Sequence, residues 1–284
     1  MVLIDLHKKY LQTLKKSYSV AEIDDLFKRL INGFFDWEPT LLGLEPQKQL
    51  APPAIAQLEQ ALDRLAKQEP VQYIIGKAHF RDLLLDVDSS TLIPRPETEE
   101  LVEWVISDYP TDAQLHIVDV GTGSGCIALA LQQHFEQACI RGVDKSAAAL
   151  SVAQKNALNL QLPVLFSQQT IEFLPQPTQA FDAIVSNPPY VRTDEVLAPN
   201  VLDYEPHMAL FTPPKQPLYY YKHLAEYGQK ALKSGGHLYF EINPLELDPL
   251  KQMLLKKGYT PVEVRTDIFG KFRFLRATNP RWSL

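Results

Sequence analysis

From about residue 97 onward, short apolar runs with strand character alternate with longer amphipathic stretches, and this alternation limits the fold more than any other feature of the chain. Strand candidates fall at 115–120, 140–143, 163–166, 181–186, 237–242, 260–265 and 272–277. Helical periodicity occupies 124–135, 146–158, 217–233 and 245–257. Strands too apolar to leave one face in water, separated by helices, predict a mainly parallel sheet covered on both sides. In such sheets ligands gather beyond the carboxyl ends of the strands, so the residues that leave each strand are the first place to look for chemistry.

The first strand, L115-H-I-V-D-V120, runs into G121-T-G-S-G125 and then a helix. Glycines there let the chain turn tightly and let a ligand approach the backbone. The spacing is G-x-G-x-G, with Cys126 where a dinucleotide fingerprint would place its last glycine. The next strand ends in Asp144, an acid placed to accept both hydroxyls of a ribose, and Asp119 closes the first strand beside the same crevice. An incidental glycine turn would not carry an acid at each of these offsets, and the combination reads as an S-adenosylmethionine site.

A third strand, F181-D-A-I-V-S186, exits through N187-P-P-Y190. Asn187 offers a side-chain carbonyl to a planar NH₂ group, and the Pro188 carbonyl offers a second acceptor. The prolines stiffen the turn and bring no N–H to compete. Tyr190 offers a flat surface to a planar group. An amide nitrogen is a poor nucleophile, so catalysis here would consist chiefly of holding it in line with the methyl donor. On these residues alone a glutamine amide, an adenine and a guanine amino group stand equal, since each is a planar NH₂ joined to a π-system.

Ahead of the alternating region, residues 1–70 carry three helical stripes: Leu3, Leu6, Tyr10 and Leu14; Ile23, Leu26, Phe27, Leu30 and Ile31 behind a Ser19/Glu22 capping box; and Ile55, Leu58, Leu62 and Leu65 after Pro52-Pro53. A small bundle of this kind carries no chemistry of its own and suits partner recognition. Residues 71–93 shift to a period of two, with V71-Q-Y-I-I75 and L83-L-L-D-V87 read as paired strands of a β-hairpin linker. The helix after I93-P-R-P-E-T-E99 opens with Pro96 in its first turn; Glu97 and Glu99 there serve the helix dipole or line the cleft. Residues 191–217 are polar and proline-rich and follow neither period, as functional loops often do.

Composition closes off several classes. With 28 Lys+Arg against 34 Asp+Glu, the net charge of −6 argues against a surface built to grip phosphate backbones. Two cysteines without C-x-x-C spacing, and seven scattered histidines, leave no recognisable metal site and fit a reducing cytoplasm. No apolar run approaches membrane-spanning length.

Taken in order, V71-Q-Y-I-I-G76, L92-I-P-R-P-E-T-E99, D119-V-G-T-G-S-G125 and N187-P-P-Y190 resemble the protein-(glutamine-N5) methyltransferases of peptide chain release factors, over essentially the whole chain. The resemblance implies a Rossmann-like α/β fold with a seven-stranded methyltransferase sheet at 94–284. It also implies a helical release-factor recognition domain at 1–70, joined by the hairpin linker at 71–93. It implies an enzyme that moves methyl from S-adenosylmethionine, leaving S-adenosylhomocysteine, to the amide N5 of the glutamine in a Gly-Gly-Gln loop. Gly121, Thr122, Gly123, Ser124, Gly125, Asp144, Phe173 and Asn187 would then bind the cofactor. Asn187, Pro188, Pro189 and Tyr190 would bind the substrate amide, with Asn187, Pro188 and Tyr190 catalytic and no metal. A cytoplasmic monomer that meets release factors, and neither nucleic acid nor membrane, is the expected form. The nearest alternative is an N-methyltransferase acting on an exocyclic amino group of DNA or RNA. Three segments depart from the family pattern: Q168-Q-T-I-E-F173 lacks an acid shortly before its aromatic, F211-T-P-P-K-Q-P217 replaces glycines, and E241-I-N243 replaces Glu-Ile-Gly.

Overall fold

The computed structural model describes residues 1–175 and 177–280. They divide into two compact units, one of residues 1–77 with 197–204, the other of residues 78–196 with 205 onward.

In the first unit the stripes fold as helices Leu3–Leu14, Val20–Phe35 and Pro52–Ala66. The Ser19/Glu22 box closes in both directions: Glu22 N–H donates to Ser19 Oγ (3.3 Å), and Ser19 N–H to Glu22 Oε2 (2.7 Å). Leu3, Leu6, Tyr10, Phe27, Leu30, Leu58 and Leu62 form one core, in which the Tyr10 hydroxyl donates to the Leu58 carbonyl at 2.5 Å. Val71–Ile75 is a short helix here, not the strand its β-branched run predicts. Pro70 opens it, and Gly76 ends it at φ +77°, donating its N–H to the Gln72 carbonyl at 2.7 Å. Arg64 then donates to the carbonyls of Tyr73 (3.2 Å) and Ile74 (3.3 Å), supplying partners that a helix end otherwise lacks. Within the segment 191–217, helix Pro199–Tyr204 belongs to this unit, and its Tyr204 hydroxyl donates to the Lys67 carbonyl at 2.7 Å.

Among the described residues, strands β1 (Lys77–Phe80) and β2 (Leu83–Asp86) form the hairpin. The second unit is built on seven further strands: β3 (His116–Val120), β4 (Cys139–Asp144), β5 (Leu165–Gln168), β6 (Phe181–Ser186), β7 (Leu232–Glu241), β8 (Val262–Thr266) and β9 (Phe272–Thr278). Their order is β5-β4-β3-β6-β7-β9-β8, and the pairs from β5 to β7 are parallel. β9 runs antiparallel between β7 and β8. Successive side chains go to opposite cores: Ile117, Ala183, Val185, Tyr239 and Phe274 on one face, Val118, Ile184, Leu238, Phe240 and Leu275 on the other. That is the doubly covered sheet the apolar runs require. β7 begins at Leu232, five residues before its predicted start, because its early part passes a bulge opposite Phe181–Ala183.

The chain leaves β3 for β4 and β5 on one side, then returns to place β6 on the other. The carboxyl ends of β4, β3 and β6 therefore stand side by side at the reversal, where the sheet opens a crevice.

Candidate active site

Three loops leave that edge. After β3, Gly121 and Gly123 adopt φ of +77° and +55°, a region closed to most side chains, and a Cβ built on either would meet nothing within 4 Å. The loop is fixed from below. Gly121 and Thr122 donate their N–H groups to the Val143 carbonyl (2.8 and 3.0 Å), and Thr122 Oγ1 donates to Asp119 Oδ2 (2.6 Å). Asp119 is fully buried, which pushes its carboxyl up to about 7 against the help of the Thr122 hydroxyl and the Ala128 N–H; the charge of Asp144 pushes the same way. Gly125 has a different task. At φ +84° its bare Cα sits under Leu129, Phe166 and Ala153, and an added Cβ would lie 3.1–3.2 Å from each, so this glycine permits close packing of helix on sheet.

After β4, Asp144 accepts the Gly123 N–H on Oδ2 and the Ser146 N–H on Oδ1, both at 2.9 Å. These bonds aim the half-buried carboxylate along the rim of the glycine loop and leave each oxygen further lone-pair capacity. After β6, the Ser186 hydroxyl donates to the Val120 carbonyl (2.6 Å), tying the start of the Asn187–Tyr190 turn to the end of β3.

Gly121, Gly123, Asp144, Asn187, Pro188 and Pro189 thus line one open-mouthed cleft. Its remaining wall was not read from the sequence. Ser90–Leu92 precede the I-P-R-P-E segment, Ile171 and Glu172 come from the connection after β5, Met208 and Ala209 from the short helix His207–Leu210, and Tyr220 from the start of helix Tyr219–Ala231. The Met208 segment is held by Glu205, whose buried carboxylate accepts the Ile93 N–H (3.2 Å) and pairs with Arg95. The signal for this wall was faint, since its residues are of mixed character and come from four separate segments of the chain.

Besides Gly125, four predicted residues lie off the cleft lining. Thr122 and Ser124 belong to the loop but are buried beneath it. Phe173 is 80% exposed at the end of a 3₁₀ turn, and Ile171, two residues before it, lines the cleft. Tyr190 turns away as well: its hydroxyl donates to Oε1 of the buried Glu241 at 2.8 Å, and its ring packs on the core under the sheet. That bond, and the Asn187 Nδ2 bond to Thr98 Oγ1 (3.0 Å), bring in two residues that sequence reading did not assign to the site.

The cleft suits S-adenosylmethionine on its own geometry. Open space over two positive-φ glycines accommodates a close approach to backbone, Asp144 supplies a carboxylate for hydroxyls, and Val143, Ala149, Ile171 and Tyr220 supply apolar surface for a base. No cluster of metal-binding side chains is found among the described residues.

A family model described as the PrmC N-terminal domain matches residues 5–76, and one described as the methyltransferase small domain matches residues 100–203. A release factor glutamine methyltransferase of Flavobacterium psychrophilum is 37% identical over 281 residues, 97% of this chain and 99% of that protein. One from Bacteroides thetaiotaomicron is 44% identical over 225 residues, 78% of this chain and 80% of that protein. Among solved structures, a methyltransferase from Pyrococcus furiosus superposes with a TM-score of 0.52 at 17% identity, covering 69% of this chain and 89% of its own. A ribosomal protein L11 methylase from Lactobacillus delbrueckii gives 0.50 at 20%, covering 69% and 84%. These two likenesses concern the fold alone.

Proposed function

The chain belongs to the release factor glutamine methyltransferase family, and from that premise we propose that its cleft delivers the methyl group of S-adenosylmethionine to the side-chain amide N5 of the glutamine in a release factor's Gly-Gly-Gln loop. The observation that carries the reading is the meeting of Gly121, Gly123, Asp144, Asn187 and Pro188 on one cleft, at the carboxyl ends of three adjacent strands.

When bound, the cofactor supplies a methyl group on a positively charged sulfur. The protein's own part is binding and orientation. Gly121 and Gly123 admit the cofactor against the backbone, and Asp144 takes its ribose hydroxyls. Asn187 Oδ1 and the Pro188 carbonyl accept the two N–H bonds of the glutamine amide and leave its nitrogen facing the methyl group. Pro188 and Pro189 keep those acceptors in place. The extra proton leaves after transfer, so no strong base is required.

The helical segment 1–70, with helix Pro199–Tyr204 in the same unit, serves release-factor recognition. The proposed working form is a monomer. The net charge of −6 argues against nucleic acid as a partner. No described helix is long and apolar enough to cross a membrane, and a substrate from translation places the enzyme in the cytoplasm.

The test is incubation with labelled S-adenosylmethionine and unmodified release factor, followed by peptide mapping. Methyl on the Gly-Gly-Gln glutamine is expected; label on DNA or RNA in a parallel incubation, with none on the factor, would overturn the reading. Asn187→Ala should lower transfer by roughly 100-fold or more while cofactor affinity changes little. Loss of cofactor affinity alone would contradict the role given to Asn187.

A further inference from the structure

The geometry points to Glu241 and Thr98 as positioning residues that decide which end of the Asn187 side-chain amide faces the cleft. The inference rests on the methyl-transfer reading above and concerns how the same site is kept in working order.

Glu241 closes β7 and is 1% exposed. Its Oε2 accepts the Thr98 hydroxyl at 2.6 Å, and its Oε1 accepts the Tyr190 hydroxyl at 2.8 Å. A carboxylate only accepts, and a hydroxyl has a single proton to give. The Thr98 proton is therefore committed to Glu241, and Thr98 Oγ1 can offer Asn187 nothing but a lone pair. The NH₂ end of the Asn187 amide meets that lone pair at 3.0 Å. Rotating the amide by half a turn would set its carbonyl oxygen against the Thr98 oxygen, acceptor against acceptor. So Oδ1 is the end left for the cleft that Asn187 lines, as a planar NH₂ substrate requires.

The far end of the turn hangs from the same stretch of chain. Asn243, two residues past Glu241 and 4% exposed, donates Nδ2 to the Tyr190 carbonyl (3.2 Å) and to Glu195 Oε1 (2.8 Å), while its Oδ1 accepts the Leu245 N–H (3.0 Å). Asn187 and Tyr190 are thus both tied to residues 241–243, and the two prolines between them have little freedom. Burial raises the Glu241 carboxyl above its ordinary range, offset by the two hydroxyls and by Arg273. The two hydroxyls and Arg273 favour the ionised form, in which Glu241 accepts at both oxygens.

The experiment uses the full chain and unmodified release factor, comparing Thr98→Val and Thr98→Ser with wild type for kcat, KM, cofactor affinity and melting temperature. Thr98→Val removes the hydroxyl at nearly constant volume and should lower kcat roughly 10- to 100-fold, with cofactor Kd and release-factor KM within about threefold. Thr98→Ser restores the hydroxyl and should hold kcat within about threefold of wild type. Should Thr98→Val not fold, Thr98→Ala takes its place: it too lacks the hydroxyl, and kcat should fall with cofactor affinity intact. Undiminished kcat in these variants overturns the inference. So does a loss of kcat matched by equal losses in cofactor affinity and melting temperature, which would mark a purely structural role. Wild-type activity in the same series separates the two readings. Its absence removes both, whereas its presence with undiminished variants removes this one alone.

Discussion

Asn156 is a small side chain on which three parts of the second unit depend. It lies 1% exposed in helix Ala147–Leu160. Its Oδ1 accepts the Asp86 N–H (2.7 Å), while its Nδ2 donates to the carbonyls of Asp86 and of Ser124 (both 3.0 Å). One amide therefore joins β2, its own helix and the glycine loop. Asn156→Leu keeps the branched shape, with bulkier methyl ends, and removes all three bonds, leaving two carbonyls and an N–H facing hydrocarbon. A buried polar group left alone costs about 1–3 kcal/mol. Asp86 is half-buried, so water can recover part of its loss, whereas Ser124 is buried and recovers little. A total of about 3 kcal/mol follows, and at roughly 2–4 °C per kcal/mol for a unit of this size the melting temperature should fall by about 6–12 °C. Calorimetry of wild type and variant measures it, with urea unfolding to confirm that the m-value is unchanged. Cofactor affinity should weaken as well, because the Ser124 carbonyl lies within the glycine loop. A loss below about 1 kcal/mol at constant m would refute the reasoning, since it would mean that the bonds are replaced at no cost.

Gly142→Ala would place a Cβ 2.5 Å from the Phe166 ring and 2.8 Å from the Thr122 hydroxyl, which its bond to Asp119 prevents from moving freely. The overpacking should cost about 1–3 kcal/mol, read as a lower melting temperature together with weaker cofactor binding; unchanged values in both would show that the Phe166 ring yields. For Asp119, a folded-state pKa raised to about 7 means that the folded protein holds its proton more tightly than the unfolded chain does. Its contribution to stability is whole below the ordinary carboxylate range and is lost as pH rises towards 7, by up to about 4 kcal/mol. The difference in melting temperature between wild type and Asp119→Asn, followed from pH 4 to 8 without cofactor, should change in that sense, and a flat difference would remove the assignment.

What the sequence could announce was whatever is encoded locally. Strands β3 and β6 were legible because apolar runs end abruptly at Gly121 and at Asn187-Pro188, and those same endings line the cleft. Asp144 could be read for the same reason, as the last residue of a strand. The five residues Val71–Ile75 were misread because a β-branched run is too short for its period to decide; Pro70, Gly76 and the distant Arg64 settle it. The direction of Tyr190 was hidden too. Its ring has apolar faces that fit a substrate or a core equally well, and the choice is made by Glu241, 51 positions away. Thr98 and Glu241 lie 143 positions apart, and no pattern within either segment signals that they meet. Phe173 shows the opposite error. An aromatic side chain was read into the cleft, and the turn Ile171–Phe173 places Ile171 on its lining instead.

The strand order carries a consequence for how this protein must be made. β9 fills the gap between β7 and β8, yet it is the last strand described in the chain. Until it emerges from the ribosome, the nascent sheet ends at β7, and β8 has no neighbour to pair with. Both carry bare backbone edges, the kind of surface on which unfinished chains stick to one another. Phe274, Leu275 and Ala277, each buried in the finished core, arrive with that strand. A nonsense codon between residues 221 and 271 would therefore leave the sheet without β9, although every residue lining the cleft had already been translated.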